Sequence, residues 1–317
     1  MRLVTLEFGN EFRPGVVVGD EILDLRGCDA IVRAARLVPR DIKGILGAGP
    51  AALDLLRSIV DRVVTNKDQL RERRALVKIT GAKLAAPIPN PGMILSIGAN
   101  YHEHLKEMNV PAPKTPLSFF KSVASIIGTG EPIILPASNP DMVDWEGEFS
   151  VVIGRPCHRV RASEALHYIA GYTVVNDVSA RDWVAPAFAA KGMMETIVAW
   201  EHNILGKFFP TFCPMGPAIV TSDEIRNPHD LHLETRLNGK AVQSTNTSDL
   251  VFSVTQIIEY YSQFLHFRPG DIITTGSPSG VGYSRNPKLF MKPGDTIEVE
   301  VQGIGILKNP VAAMGKA

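Results

Sequence analysis

Glu146 and Glu148 stand two residues apart in Asp144-Trp-Glu-Gly-Glu-Phe-Ser-Val-Val-Ile153, a segment otherwise composed like a buried strand. Side chains at i and i+2 of a strand share a face. Both carboxylates should therefore project one way, while Trp145, Phe149, Val151 and Ile153 project the other way, into a core. Like charges held this close repel, and at neutral pH a divalent cation relieves the conflict better than protonation does. Asp177 ends a second extended segment, Tyr172-Thr-Val-Val-Asn-Asp177, and can bring a third carboxylate beside the first two. Three carboxylates without a nearby Cys or His cluster suit a hard cation, Mg²⁺ first and then Mn²⁺ or Ca²⁺. The plainer alternative is a set of acidic residues facing solvent.

A second group is Gly98-Ala-Asn-Tyr-His-Glu-His-Leu-Lys-Glu107. If residues 101–108 turn helically, His104 and Glu107 lie at i and i+3 and touch. A carboxylate on one imidazole nitrogen fixes the tautomer and leaves the other nitrogen basic, which suits a general base acting on water. His102 and His104 could instead ligate zinc, or simply sit on a solvated helix start. Lys207 follows a glycine and precedes apolar residues, a setting for a partly desolvated ammonium that binds an anion or a developing oxyanion. Residues 270–282 run from a strand into a Gly-rich turn with hydroxyls and free backbone N–H groups, suited to a carboxylate. They lack the Gly-Lys-Ser/Thr ending of a nucleotide loop. Gly47-Ala-Gly-Pro-Ala-Ala52 mimics part of a dinucleotide fingerprint, but no adequate strand precedes it and Pro50 suits a helix start.

Short strands must carry these groups. The pattern predicts them at 2–8, 15–18, 21–25, 93–97, 133–135, 145–153, 172–175, 232–237, 272–275 and 296–301, with a tight hairpin at Leu237-Asn-Gly-Lys240. Helices are expected at 51–64, 163–169, 187–200 and 250–264. Three prolines in Ala86-Pro-Ile-Pro-Asn-Pro-Gly92 mark a connector. The expectation is a small N-terminal α+β domain over 1–88 and a β-rich catalytic domain over 89–317. A chain of 317 residues with 45% hydrophobic content can build a sizeable core. Lys plus Arg balances Asp plus Glu at 33 each, so no global field favours nucleic acid or an anionic membrane. Three widely spaced cysteines argue against a disulfide framework. With no signal-like start and no long apolar run, the expectation is a cytoplasmic protein with no membrane partner.

These stretches, in order, resemble the fumarylacetoacetate hydrolase family over roughly 91–311. Asn100-Tyr-His-Glu-His-Leu-Lys-Glu107 resembles the family's Asn-Tyr-x-x-His-x-x-Glu segment, which implies His104 and Glu107 as a water-activating dyad on a lid. Asp144-Trp-Glu-Gly-Glu148 and Asn176-Asp-Val-Ser-Ala-Arg-Asp182 resemble the metal motifs, implying Glu146, Glu148 and Asp177 as Mg²⁺ or Mn²⁺ ligands. Leu205-Gly-Lys207 and Thr275-Gly-Ser-Pro-Ser-Gly-Val281 resemble the substrate-binding motifs, implying Lys207 and Ser277 as substrate contacts. The resemblance further implies an α+β, β-rich fold with a mixed, curved β-roll, and a homodimer. The chain departs at Phe208-Phe-Pro-Thr211, at Val184 where some members carry glutamine, and in a stretch between Asp177 and Lys207 about ten residues longer than in short members.

The implied activity is hydrolysis of a C–C bond in a 2,4-dioxo acid of the acylpyruvate type. Water activated by His104 and Glu107 attacks C4, Lys207 stabilises the oxyanion, and pyruvate and a carboxylic acid leave. The alternative is a 2-oxo acid lyase or decarboxylase of the oxaloacetate type, or an isomerase or hydratase, in aromatic or sugar-acid catabolism.

Overall fold

The computed structural model describes residues 1–63 and 66–315. Its centre is the strand Gly147–Ile153, buried at every position and paired antiparallel on both sides, with Ile169–Asn176 and with Ile272–Thr274. A strand covered on both faces must be apolar or locally paired on both. Phe149, Val151 and Ile153 enter one apolar cluster, closed by Val254, Ile257 and Ile258 of the helix Val254–Tyr261. Ser253 starts that helix with a capping box to Gln256, satisfying two backbone N–H groups at its exposed end. On the opposite face Val152 enters a second cluster with Leu56, Ile59 and Val63 of the helix Pro50–Val63.

The large sheet runs in the order Leu76–Lys78, Glu21–Asp24, Glu11–Val18, Arg2–Phe8, Cys213–Thr221, Ile169–Asn176, Gly147–Ile153, Ile272–Thr274, Ile94–Gly98 and Leu117–Phe120. Only Ile272–Thr274 and Ile94–Gly98 pair in parallel along this path. Arg2 and Leu3 pair with Val220 and Ile219, so the expected boundary at residue 88 is crossed by one continuous sheet and by one apolar cluster. A five-stranded sheet, ordered Lys240–Asn246, His232–Leu237, Thr296–Val301, Gly305–Ala313 and Ile133–Leu135, packs beside it. The hairpin at its edge turns through Asn238 and Gly239, both at positive φ (52° and 77°), as a tight two-residue loop requires. The fold is mixed α+β and rich in strands. Among the described residues no helix is long and apolar enough to cross a membrane.

Several elements differ from their sequence expectation, among them the helix expected over 163–169, which is a short 3-10 turn at Ala165–Tyr168. The strand expected from Trp145 begins at Gly147; Val143–Asp144 pairs instead with Ser179–Ala180. The helix expected over 187–200 is two helices, Val184–Ala189 and Met193–Leu205, parted by Gly192 at φ 85°. Cys213–Thr221, with Pro214, Gly216 and Pro217, reads as a poor strand. It pairs through a register shift that leaves Pro217 outside the ladder, where a residue without an N–H is tolerated. The helix expected over 51–64 is observed at Pro50–Val63, and Val64 lies outside the described residues, as do Lys316 and Ala317.

Candidate active site

Strand pairing brings the carboxylates together. Gly147 faces Asn176 and Glu148 faces Val175 across the antiparallel ladder, so Asp177, one residue past the partner strand, comes opposite Glu146 and diagonal to Glu148. Glu146 lies just before the strand rather than within it. It is fixed by its own N–H donating to Asn176 Oδ1 (2.9 Å) and by its carbonyl accepting from Asp177 N (2.8 Å). The result agrees with the pattern argument although the mechanism differs: one oxygen from each of Glu146, Glu148 and Asp177 lies within 4.8 Å of the others, and all three residues are buried. The residue between the two glutamates has to be glycine, because a Cβ there would meet Thr235 Oγ1 at 2.2 Å.

Three cations surround this group. Lys207 Nζ donates to Glu146 Oε2 and to Asp177 Oδ2, each at 2.7 Å. Lys121, fully buried at its side chain, donates to Asp177 Oδ1 (2.5 Å) and to the Lys207 carbonyl (2.7 Å). Arg181 bridges Asp144 Oδ2 (2.9 Å) and Glu146 Oε1 (2.7 Å). Burial opposes ionisation of Glu146, yet Lys207 and Arg181 hold its carboxyl well below the usual range. Burial would push Lys207 down, but Asp177 and Glu146 outweigh it and keep the ammonium charged. Glu148 is the exception. Its Oε2 accepts only a backbone bond from Gly276 (2.9 Å), and burial, then Asp177 and Glu146, push its carboxyl well above the ordinary range. Glu148 is therefore the carboxyl of the three without a direct cation, and the one whose ionisation the site opposes. Three clustered carboxylate oxygens, one of them uncompensated, fit a hard divalent cation, which these residues can hold.

The expected dyad forms. On the helix His102–Glu107, His104 Nδ1 lies 2.8 Å from Glu107 Oε2. Glu107 Oε1 accepts from Gly280 N (3.0 Å), tying the dyad to the Gly-rich turn. Asn100 anchors the segment, donating to the Thr275 carbonyl (2.8 Å) and accepting from Phe252 N (2.9 Å). With Nδ1 on the carboxylate, Nε2 is the ring's basic nitrogen. Ser277, on the same turn, accepts from Gln243 Nε2 (2.9 Å). His104, Glu146, Asp177, Arg181, Lys207 and Ser277 line one cavity of about 510 Å³, with Glu148 buried behind them.

Of the three sequence departures, Val184 and the second helix reach this cavity, whereas Phe209 packs against Phe212 in a separate apolar cluster. Sequence reasoning missed Arg181 and Asp144, although both lie inside the quoted motifs. Asp144 is buried and accepts from Gly282 N (2.7 Å) and Tyr283 N (3.0 Å), so it staples the Gly-rich turn to the carboxylates. Lys121 was also missed. Its one signal is a lone lysine after the aromatic pair Phe119-Phe120. The three cysteines are buried and free.

The description of the fumarylacetoacetate (FAA) hydrolase C-terminal domain matches residues 93–312. A protein of Xenopus laevis named oxaloacetate tautomerase fahd2, mitochondrial, is 37% identical over 98% of this chain and 90% of its own. The solved structure of 5-carboxymethyl-2-hydroxymuconate delta-isomerase from Mycobacterium smegmatis aligns over the whole of both chains with a TM-score of 0.70 and 31% identity. Maleylpyruvate hydrolase from Sphingobium sp. SYK-6, solved with manganese(II) and pyruvate, aligns over 99% of this chain and 100% of its own with a TM-score of 0.70 and 25% identity.

Proposed function

The chain belongs to the fumarylacetoacetate hydrolase family, and from that premise we propose that it moves a proton at C3 of a 2-oxo acid, interconverting keto and enol forms. The observation that carries this reading is the His104–Glu107 pair, 2.8 Å apart, in the same cavity wall as the carboxylates and Lys207. Glu146, Glu148 and Asp177 would hold a divalent cation, which would supply electrophilic polarisation of a keto oxygen and neutralise the adjoining carboxylate. His104 Nε2 removes the C3 proton, the C–H electron pair becomes the C2–C3 double bond, and the proton returns at the C2 oxygen. Glu107 stabilises the imidazolium while the proton is in transit. Lys207, whose ammonium lies 2.7 Å from Glu146 and Asp177, is placed to donate to the oxygen that gains charge. Arg181 keeps Glu146 oriented through its bridge to Asp144.

A second reading, hydrolysis of an acylpyruvate, draws on the Sphingobium neighbour, which is titled a hydrolase and was solved with manganese and pyruvate. The same base would then deprotonate water, whose oxygen bonds to C4 as the C3–C4 pair collapses onto the enolate and C3 takes up a proton. The test follows the ultraviolet absorbance of the enol with Mn²⁺ present, using oxaloacetate for tautomerisation and acetylpyruvate for cleavage. His104→Ala should lower the rate by about 10²- to 10⁴-fold while Mn²⁺ binding by calorimetry stays intact. An unchanged rate in that variant would discard the dyad as the proton carrier.

A further inference from the structure

The cavity has two ends of opposite character. Its polar end holds the carboxylates, Lys207, Arg181 and His104. Away from them the wall is almost wholly apolar. Val184, Phe188, Trp200 and Ile204 of the two-helix stretch line it together with Met108 and Leu117, with Asn203 and Ser118 as polar interruptions. Phe188 and Trp200 meet edge to face with ring centroids 5.5 Å apart, tying the two helices together at the rim. These side chains are not packed as core: Phe188 is 60% and Leu117 53% exposed, and Met193–Leu205 has no buried residue at all. Apolar surface of this kind, continuous with a polar site, gains from a ligand that covers it.

Charge excludes one class of ligand from that end. Among the described residues, the lysine and arginine lining the cavity are Lys207 and Arg181, each already bridging two carboxylates. A carboxylate placed against Phe188, Trp200 and Ile204 would lose its water without gaining a cation. The cavity's volume also exceeds what a four-carbon acid fills.

We propose that the stretch Val184–Leu205 builds a distal subsite for an uncharged, apolar substituent. The preferred substrates are then 2-oxo acids with an aryl or branched alkyl group beyond C4, not short dicarboxylates. Val184, Trp200 and Ile204 are specificity-determining residues for that group. The proposal rests on the 2-oxo acid reading of the polar end, and the test separates the two. Binding to the Mn²⁺-loaded protein is measured by calorimetry for pyruvate, oxaloacetate and benzoylpyruvate. Pyruvate reports the polar end alone. Benzoylpyruvate should bind roughly 10- to 100-fold more tightly than pyruvate, the gain from burying one aromatic ring. Trp200→Ala should remove much of that gain and leave pyruvate binding unchanged, which also shows that the variant folds. Ile204→Arg should shift preference toward oxaloacetate. If pyruvate binds but benzoylpyruvate is no tighter, or oxaloacetate exceeds it in the wild type, the distal subsite is refuted and the polar end stands. If none of the three binds, both fall.

Discussion

Glu148→Gln separates a metal site from an ordinary buried ion cluster, because it should move stability in opposite directions with and without metal. Without metal, Glu148 is buried beside two other carboxylates whose nearest oxygens lie within 4.8 Å. At an effective dielectric constant of about 20, one such like-charge pair costs about 3 kcal/mol. Lys207, Lys121 and Arg181 cancel part of this by attraction, so neutralising Glu148 should stabilise the protein by about 1–2 kcal/mol. The amide keeps an oxygen for the Gly276 N–H, so that bond survives. For 317 residues at about 2.1 cal/mol/K each, the gain corresponds to roughly 2 °C in Tm. With Mn²⁺ at about 100 times its Kd the wild type should gain about 2.7 kcal/mol, or roughly 4 °C. The variant, one carboxylate short, should gain almost nothing. Scanning calorimetry in EDTA and in Mn²⁺ reads both numbers. The pH dependence has a definite sign. Glu148's folded pKa is raised above its ordinary value of 4.5, so the fold binds a proton the unfolded chain has lost, and stability falls as pH rises from that ordinary value up to the folded one. In EDTA the variant's advantage should be absent at low pH and open as pH rises, and the wild-type Mn²⁺ shift should grow over the same interval. A variant less stable in EDTA, or one that keeps the full Mn²⁺ shift, would refute the reasoning.

The remaining expectations concern the scaffold. Gly147→Ala should destabilise by about 1–3 kcal/mol through overpacking, and Thr235→Ala in the same chain should recover part of that loss by removing the oxygen 2.2 Å from the new Cβ; purely additive denaturation midpoints would refute the contact. Arg181→Met leaves Asp144 and Glu146 buried without their shared partner and should cost about 3–5 kcal/mol; urea melts within error of the wild type would show the bridge to be idle. Burial pushes the thiols of Cys28 and Cys213 to about 12 and that of Cys157 to about 11. At pH 8 a thiol reagent should therefore titrate no cysteine in the native protein and three after denaturation, and a fast native reaction would contradict that burial.

What the sequence made legible was chemistry written over short spans. The i, i+3 spacing of His104 and Glu107 needs only one turn of helix, and the hairpin at Asn238-Gly239 needs only its own two residues. The convergence of Glu146 and Glu148 was reached by a strand argument that holds for Glu148 alone; Glu146 is placed by Asn176 from the neighbouring strand. Contacts closed over long spans left little trace. Lys121 meets Asp177 across 56 residues, and Gly280 meets Glu107 across 173. Nothing local about a lysine or a glycine specifies such a partner, since only the sheet order brings them together. The Cys213–Thr221 strand was hidden for a different reason: its prolines oppose β-structure locally, and a register shift accommodates them only once both neighbours are present.

Lys207 shows how these two kinds of information join. Its sequence setting, after a glycine and before apolar residues, points to a desolvated ammonium that meets an anion. In the fold the anions it meets are Glu146 and Asp177, two of the three groups able to hold a cation. An ammonium carries one charge and satisfies two of those carboxylates, leaving Glu148 without a direct partner; a divalent ion carries enough charge to neutralise two and reaches all three. The oxygens cannot serve both at full strength. A cation held there would compete with Lys207 for Glu146 and Asp177, so its binding would free the ammonium for another anion. The same four side chains would thus couple cation binding to the freedom of Lys207, a link that neither motif alone implies.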